Sequence, residues 1–270
     1  MKVKRFNKTL HKNIDAIPRN IHVFTNEIQI VKILNPFFSI QKIFTENKNL
    51  IKLLKNSNHK IVLIKSSKDL PKKNHPTIKI GICCAFGLIF KKSFLDNYTF
   101  GIWNIHYGSL PDYRGRHPIT AAFLKDEKKI GLSIHILDEN IDRGYLLAKS
   151  YVKRNYNDYE HSIKQKLYSI ILKVLKKSIQ NFIKNKLVKV AKGNYYKPFY
   201  SGIKINNSKN TESKYILNAA KAQYDYDGIK VNKKKYSDAY FYTSKYLKKK
   251  NIEIITCKNN NKLILIKNCK

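Results

Sequence analysis

Short apolar runs alternate with helically spaced apolar positions over the first half of the chain. Ile21-His22-Val23-Phe24, closed by Thr25-Asn26, predicts a first strand, and Ile30, Val31 and Leu34 then fall at helical spacing until Asn35-Pro36 stops the helix. Ile40 to Phe44 predicts a second strand, Leu50, Leu53 and Leu54 a helix, and Lys60 to Ile64 a third strand. Lys72 to Pro76 reads as a linker. Ile78 to Ala85 is an unbroken apolar run, as expected for a strand buried on both faces. Strands alternating with helices imply a parallel α/β sheet with right-handed crossovers, whose ligands bind beyond the carboxyl ends of the strands.

The pattern continues with a helix over Ile119 to Leu124, a strand over Ile130 to Leu137 and a strand over Leu146 to Val152. From Asp158 to Lys186, Ile163, Leu167, Ile170, Ile171, Val174, Leu175, Ile179, Phe182 and Ile183 trace one helical face, with lysines on the other. Gly193 to Pro198 reads as a hinge. Beyond it the spacing predicts a short helix around Ile216 to Ala222 and strands at Gly228 to Val231 and Ala239 to Tyr242. A hairpin of Ile252 to Thr256 and Leu263 to Ile266 turns at Asn259-Asn260-Asn261. Three segments are expected: a basic extension over 1–19, an α/β domain over 20–192 and a small β-rich domain over 193–270.

Composition narrows the classes. With 270 residues, 43% of them hydrophobic, 18 Tyr and 13 Phe, the chain is no disordered polymer. The formal charge of +36 attracts polyanions. Its lysines are nevertheless spread evenly among abundant Asn and Ile, residues that share adenine- and thymine-rich codons. Genome composition and a selected polyanion surface are both open readings. Cys83-Cys84, Cys257 and Cys269 lack metal-ligand spacing, so no metal site is expected, and unpaired thiols fit a reducing cytoplasm. No apolar run is long enough to span a bilayer, and Met1 to Asp15 lacks the apolar stretch of a signal peptide. Phe24-Thr25-Asn26-Glu27 contains no glycine, against a dinucleotide fingerprint after the first strand.

The candidate chemistry sits at 104–118. Asn104 and His106 lie two apart at a strand end, so they project to one face. An amide donor beside an imidazole suits acyl transfer: one polarises a carbonyl oxygen, the other moves a proton. The strand over Ile130 to Leu137 delivers Asp138-Glu139-Asn140-Ile141-Asp142-Arg143-Gly144 onto a turn, where Gly144 is expected to relax the backbone. Asp142 can orient the imidazole by a charge-assisted hydrogen bond. No Ser or Cys nucleophile is evident, which favours direct transfer from a bound acyl donor. Arg114 and Arg116 could be surface residues or phosphate contacts, His135 is expected to be a packing histidine, and His117 is open between acceptor contact and none.

These segments resemble the folate-dependent formyltransferases, a family that includes the methionyl-tRNA, glycinamide ribonucleotide and sugar N-formyltransferases. The resemblance rests on Asn104-Ile105-His106, Ser109-Leu110-Pro111, Tyr113-Arg114-Gly115 with Pro118, and Asp138 to Gly144, in order and separation. It is strong from Cys83 to Ser150 and weaker toward the N-terminus. It implies a Rossmann-like catalytic domain and a 10-formyltetrahydrofolate donor. The pterin would lie against Phe86, Leu88, Ile89, Phe90 and the loop of Asp138, Glu139 and Asn140. Asn104, His106 and Asp142 would be catalytic, and Ser109, Tyr113, Arg114, Arg116 and His117 would face the acceptor. Which group takes the amine proton, side chain or water, stays open. Arg116-His117 and Arg143 depart from the tRNA enzymes, and His135 is more similar to the sugar and ribonucleotide enzymes, so a nucleotide-linked amino sugar is the expected acceptor. The charge and the faint likeness of Tyr215 to Tyr242 and Ile252 to Ile266 to a tRNA-enzyme tail keep methionyl-tRNA as the alternative. An inactive folate- or RNA-binding descendant is the reading from another class, and the resemblance leaves room for a homodimer.

Overall fold

A computed structural model describes residues 17–71, 77–199, 202–247 and 251–267. The expectations for 1–16, for the linker Lys72 to Pro76 and for Cys269 lie outside the described residues. In chain order the elements are β1 (Asn20–Thr25), α1 (Ile28–Leu34), β2 (Ser39–Thr45), α2 (Lys48–Leu53), β3 (Ile61–Leu63), β4 (Ile80–Cys84), α3 (Lys92–Leu95) and β5 (Ile102–His106). Then come β6 (Arg114–Gly115), α4 (Pro118–Leu124), β7 (Lys129–Ile136), β8 (Tyr145–Lys153), α5 (Glu160–Ile183), β9 (Val188–Lys189), β10 (Tyr195–Tyr196) and β11 (Ile203–Ile205). The chain closes with α6 (Ser213–Gln223), β12 (Ile229–Val231), β13 (Lys234–Phe241), α7 (Ser244–Leu247), β14 (Ile252–Thr256) and β15 (Lys262–Lys267).

The chain divides into two compact units whose segments interleave. One holds the described residues through Arg114, Gly131–Tyr151 and Leu167–Asn194; the other holds Gly115–Ile130, Val152–Lys166 and the described residues from Tyr195 onward. Sequence grouping alone assigns 115–130 and 152–166 to the α/β domain.

The larger sheet has eight strands in the order β3-β2-β1-β4-β5-β7-β8-β9. From β3 to β5 every neighbouring pair is parallel, as the strand–helix alternation predicts. Beyond β5 the mostly parallel sheet includes two antiparallel pairs, β7 with β5 and β9 with β8. The physical reason lies in the connection. The helix between β5 and β7, α4, belongs to the other unit, so no crossover helix on this sheet imposes a parallel return.

The core beneath β1 and β4 is aromatic. Phe24 stacks on Phe44 at 4.8 Å and meets Phe90 edge-on at 5.0 Å, with Phe94 and Tyr98 alongside. On α5 the apolar stripe is buried as its spacing predicts except for half-buried Ile170, and Phe182 packs against fully buried Trp103 at 5.1 Å. The second unit builds its own core, with α6 against α4 and β13. Its sheet runs β11-β12-β13-β15-β14, and the expected hairpin is present with Ile254 opposite Ile264. No helix among the described residues is long and apolar enough to cross a membrane.

One buried polar group in the first core makes stability depend on pH. His22 of β1 shares a 2.9 Å hydrogen bond with the Tyr98 hydroxyl. Burial first, then the nearby Lys42 charge, lowers its pKa from 6.5 to about 4. Between those values the unfolded chain binds a proton that the folded chain does not. Stability is therefore complete above pH 6.5 and falls as pH drops toward 4. The steepest loss is about 1.4 kcal/mol per pH unit. Urea midpoints across this window should fall more steeply for wild type than for His22→Gln; equal slopes would show that His22 does not titrate there.

Candidate active site

Strand β5 carries the predicted pair to the rim of the sheet. Trp103 and Ile105 are anchored in the core, which leaves Asn104 and His106, two apart, on one face. The Nε2–H of His106 donates to the Tyr113 carbonyl oxygen at 2.6 Å. A carbonyl can only accept, so that nitrogen carries a hydrogen. The other ring nitrogen, Nδ1, faces Asp142 Oδ1 at 3.7 Å. Asn104 Nδ2 lies 3.5 Å from the same oxygen. The three residues expected to form the site do converge, on one carboxylate oxygen.

A fourth side chain joins them. His135 lies directly opposite Asn104 across the antiparallel β5–β7 pair. Its Nε2 is 3.2 Å from Asn104 Nδ2 and 3.4 Å from Asp142 Oδ1. His135 is fully buried, and its Nδ1 has no hydrogen-bond partner. The packing role expected for it understates its position. The sequence signal is its placement inside a strand three residues before Asp138, but only the register reveals its partner. His106 and Asp142 are each 6% exposed, so the Asp142 carboxylate acts on the imidazole with little screening by water.

The thiols nearby are not nucleophiles. Burial, reinforced by the charges of Asp142 and Glu46, pushes the Cys83 thiol far up, so no thiolate forms near neutral pH. Cys84 Sγ donates to the Tyr107 hydroxyl, which donates to Glu27 at 2.6 Å. Among the described residues no group of His, Cys, Asp and Glu could hold a metal ion.

The loop that presents Asp142 takes its shape from two residues. Asp142 has φ +52°, a left-handed conformation that Asp tolerates better than most residues. Gly144 does not have a positive φ, so the expected relaxation of the backbone there is corrected. Its role is close approach: a Cβ would overlap the Ile136 carbonyl oxygen. Asp138 accepts from the Asn140 backbone N–H at 2.9 Å and from Lys189 Nζ at 2.6 Å. Glu139 and Asn140 are exposed.

The apolar side of the rim follows β4. Phe86 and Leu88 are half-buried and Ile89 is exposed. Phe90 is buried, stacked between Phe86 at 5.7 Å and Phe94 at 5.2 Å, so it backs the wall instead of facing it. Glu46, which the sequence does not single out, fixes this loop. It accepts from the Gly87 backbone N–H at 2.6 Å and from Asn26 Nδ2 at 2.9 Å.

On the opposite side, Ser133 of β7 ties down the loop after β5. It donates to the Gly108 carbonyl and accepts from the Leu110 N–H, at 2.7 and 3.0 Å. Ser109 Oγ shares a hydrogen bond with the Tyr151 hydroxyl at 2.8 Å. Tyr113 contributes its carbonyl to His106. Arg114 donates to the Ile141 and Gly193 carbonyls. Arg116 and His117 belong to the second unit, where Arg116 is exposed. There His117 Nδ1 accepts from the Phe199 N–H at 3.0 Å, its ring lies nearly parallel to those of Phe199 and Tyr226, and burial lowers its pKa.

Residues 74–179 match the family model described as formyl transferase. The methionyl-tRNA formyltransferase of Pseudothermotoga lettingae is 36% identical over 127 residues, 47% of this chain and 40% of the relative. That of Bacillus subtilis is 32% identical over 102 residues, 38% of this chain and 32% of the relative. The match thus spans 40% or less of the length of these curated relatives. Among solved structures, WlaRD is a sugar 3-N-formyltransferase determined in the presence of dTDP and 5-N-formyl-THF. It is 23% identical at TM-score 0.67, over 93% of this chain and 98% of its own. An N-formyltransferase from Helicobacter canadensis, in complex with folinic acid and dTDP-3-aminofucose, is 20% identical at TM-score 0.67, over 93% and 100%. These likenesses fix the fold.

The overlap at Gly144 yields a test of the loop. Gly144→Ala should destabilise the protein by about 2 kcal/mol, a drop in melting temperature of roughly 5 °C. An unchanged melting temperature would mean that the loop has room for the methyl group.

Proposed function

We propose, on the premise that this chain belongs to the folate-dependent formyltransferase family, that it transfers a formyl group from 10-formyltetrahydrofolate to a primary amine. The observation that carries the reading is the meeting of Asn104, His106 and His135 on Asp142 Oδ1. The rim suits such a donor. Phe86, Leu88 and Ile89 offer an apolar wall for a pterin, while Asn104 and His106 offer polar groups for its one-carbon unit.

The residues act in sequence. Asn104, and His106 through Nδ1 when that nitrogen carries a proton, supply hydrogen bonds to the negative charge that develops on the formyl oxygen as the amine attacks, while Nε2–H stays on the Tyr113 carbonyl. Asp142 orients the imidazole and stabilises positive charge on it. His135 Nε2 accepts from the Asn104 amide and holds it beside the Asp142 carboxylate. The new bond joins the formyl carbon to the acceptor nitrogen. The bond to the folate nitrogen breaks, and the proton lost by the amine ends on that nitrogen, carried by a side chain or water.

A nucleotide-linked amino sugar is the acceptor this reading prefers. The support is that the chain corresponds over nearly its whole length to complete sugar N-formyltransferases. Methionyl-tRNA is the second reading, favoured by the sequence identity to the tRNA enzymes and by the net charge of +36.

With labelled 10-formyltetrahydrofolate, the protein should label nucleotide amino sugars and not deacylated tRNA. Labelling of methionyl-tRNA alone would reverse the acceptor preference. His106→Ala should lower turnover by about 10³-fold and Asn104→Ala by about 10²-fold. Wild-type protein that binds folate without turning over any acceptor would establish a binding descendant instead.

A further inference from the structure

Arg114 was a natural candidate for an acceptor phosphate, yet its guanidinium is directed elsewhere. Nε and Nη2 both donate to the Ile141 carbonyl, at 3.2 and 2.9 Å, and Nη1 donates to the Gly193 carbonyl at 3.5 Å. Its own backbone N–H donates to the Asn194 carbonyl at 3.1 Å. The neighbours of these atoms are the site residues. Tyr113, immediately before Arg114, accepts from His106 Nε2. Asp142, immediately after Ile141, faces His106 Nδ1.

We infer that Arg114 is a positioning residue that fixes the Asp142 carboxylate against His106 by clamping the carbonyl next to it. The contacts close a ring: His106 to the Tyr113 carbonyl, through Arg114 to the Ile141 carbonyl, on to Asp142 and back to His106. Beside the clamp, Asn104 and His106 of β5 approach Asp142 Oδ1 at 3.5 and 3.7 Å, longer than the Arg114 bonds to the Ile141 carbonyl. The need for a clamp is visible in the backbone. Asp142 holds φ +52°, a conformation that persists where surrounding contacts determine it. Only arginine can place a planar fork on one carbonyl and still reach a second; lysine offers a single mobile ammonium.

The inference rests on the formyltransferase reading for its kinetic consequence but not for its structural one, and the two are tested separately. In a crystal structure of Arg114→Ala, the Asp142 carboxylate should move by about 1 Å or more from His106 while β4 and β5 superpose. An unmoved carboxylate overturns the inference whatever the protein catalyses. Should the alanine variant not fold, Arg114→Lys serves, with the Ile141 carbonyl losing one of its two donors and Asp142 again displaced. In the formyl-transfer assay, Arg114→Ala should lower kcat about tenfold or more and leave the acceptor KM within about twofold. A raised acceptor KM with intact kcat would overturn the inference in favour of a phosphate contact. Absence of transfer by wild type would sink the functional reading alone, and the crystallographic comparison would still decide the role of Arg114.

Discussion

The antiparallel register between β5 and β7 is the constraint from which the site follows. It sets Asn104 opposite His135 and His106 opposite Ser133. One residue of slip would turn these side chains to the other face of the sheet and part the pairs. The register also decides where β7 ends, hence where Asp142 is released onto its loop. Ser133, the partner of His106, in turn fastens the loop after β5 through Gly108 and Leu110. A single strand pairing therefore orders both loops that flank the imidazole. The apolar core secures that pairing, because Trp103, Ile105, Ile134 and Ile136 are almost wholly buried.

The site was legible in the sequence where its logic is local. An i, i+2 amide and imidazole after an apolar strand, and an acid on the next strand's loop, need no knowledge of the fold to be noticed. The continuous apolar run of β4 and the stripe on α5 likewise declared their burial. The roles that local pattern does not assign depend on contacts remote in sequence. His135 meets Asn104 across 31 positions, and Glu46 reaches Gly87 across 41. Neither residue carries a local pattern that distinguishes a site support from an ordinary strand or turn residue. Gly144 is required by crowding from the Ile136 carbonyl, which local sequence does not reveal, and its backbone is ordinary. The reversal of strand direction after β5 was hidden because periodicity reports strands but not their sense.

The charge of the chain is partly organised in the second unit, where acidic residues gather lysines around them. Burial pushes the Asp126 carboxyl up, but Lys214, Lys128 and Asn218 outweigh it and hold the group well below the usual carboxylate range. Asp158 with Lys166, and Glu253 with Lys234 and Lys267, repeat the arrangement. Asp158 is buried, whereas the pairs at the partly exposed Asp126 and Glu253 are screened by water and contribute little. They order side chains more than they stabilise the unit, whose core of Ile216, Leu217, Tyr236 and Leu265 is apolar.

The central claim is geometric: in the proposed reading, one folate-borne carbon must lie against the Asn104 amide and the His106 ring. A crystal structure with a formylated tetrahydrofolate tests it directly. The account predicts the pterin against Phe86 and Leu88, with the formyl carbon within about 4 Å of His106 and the Asn104 amide. A folate bound with its formyl group remote from these side chains would contradict it.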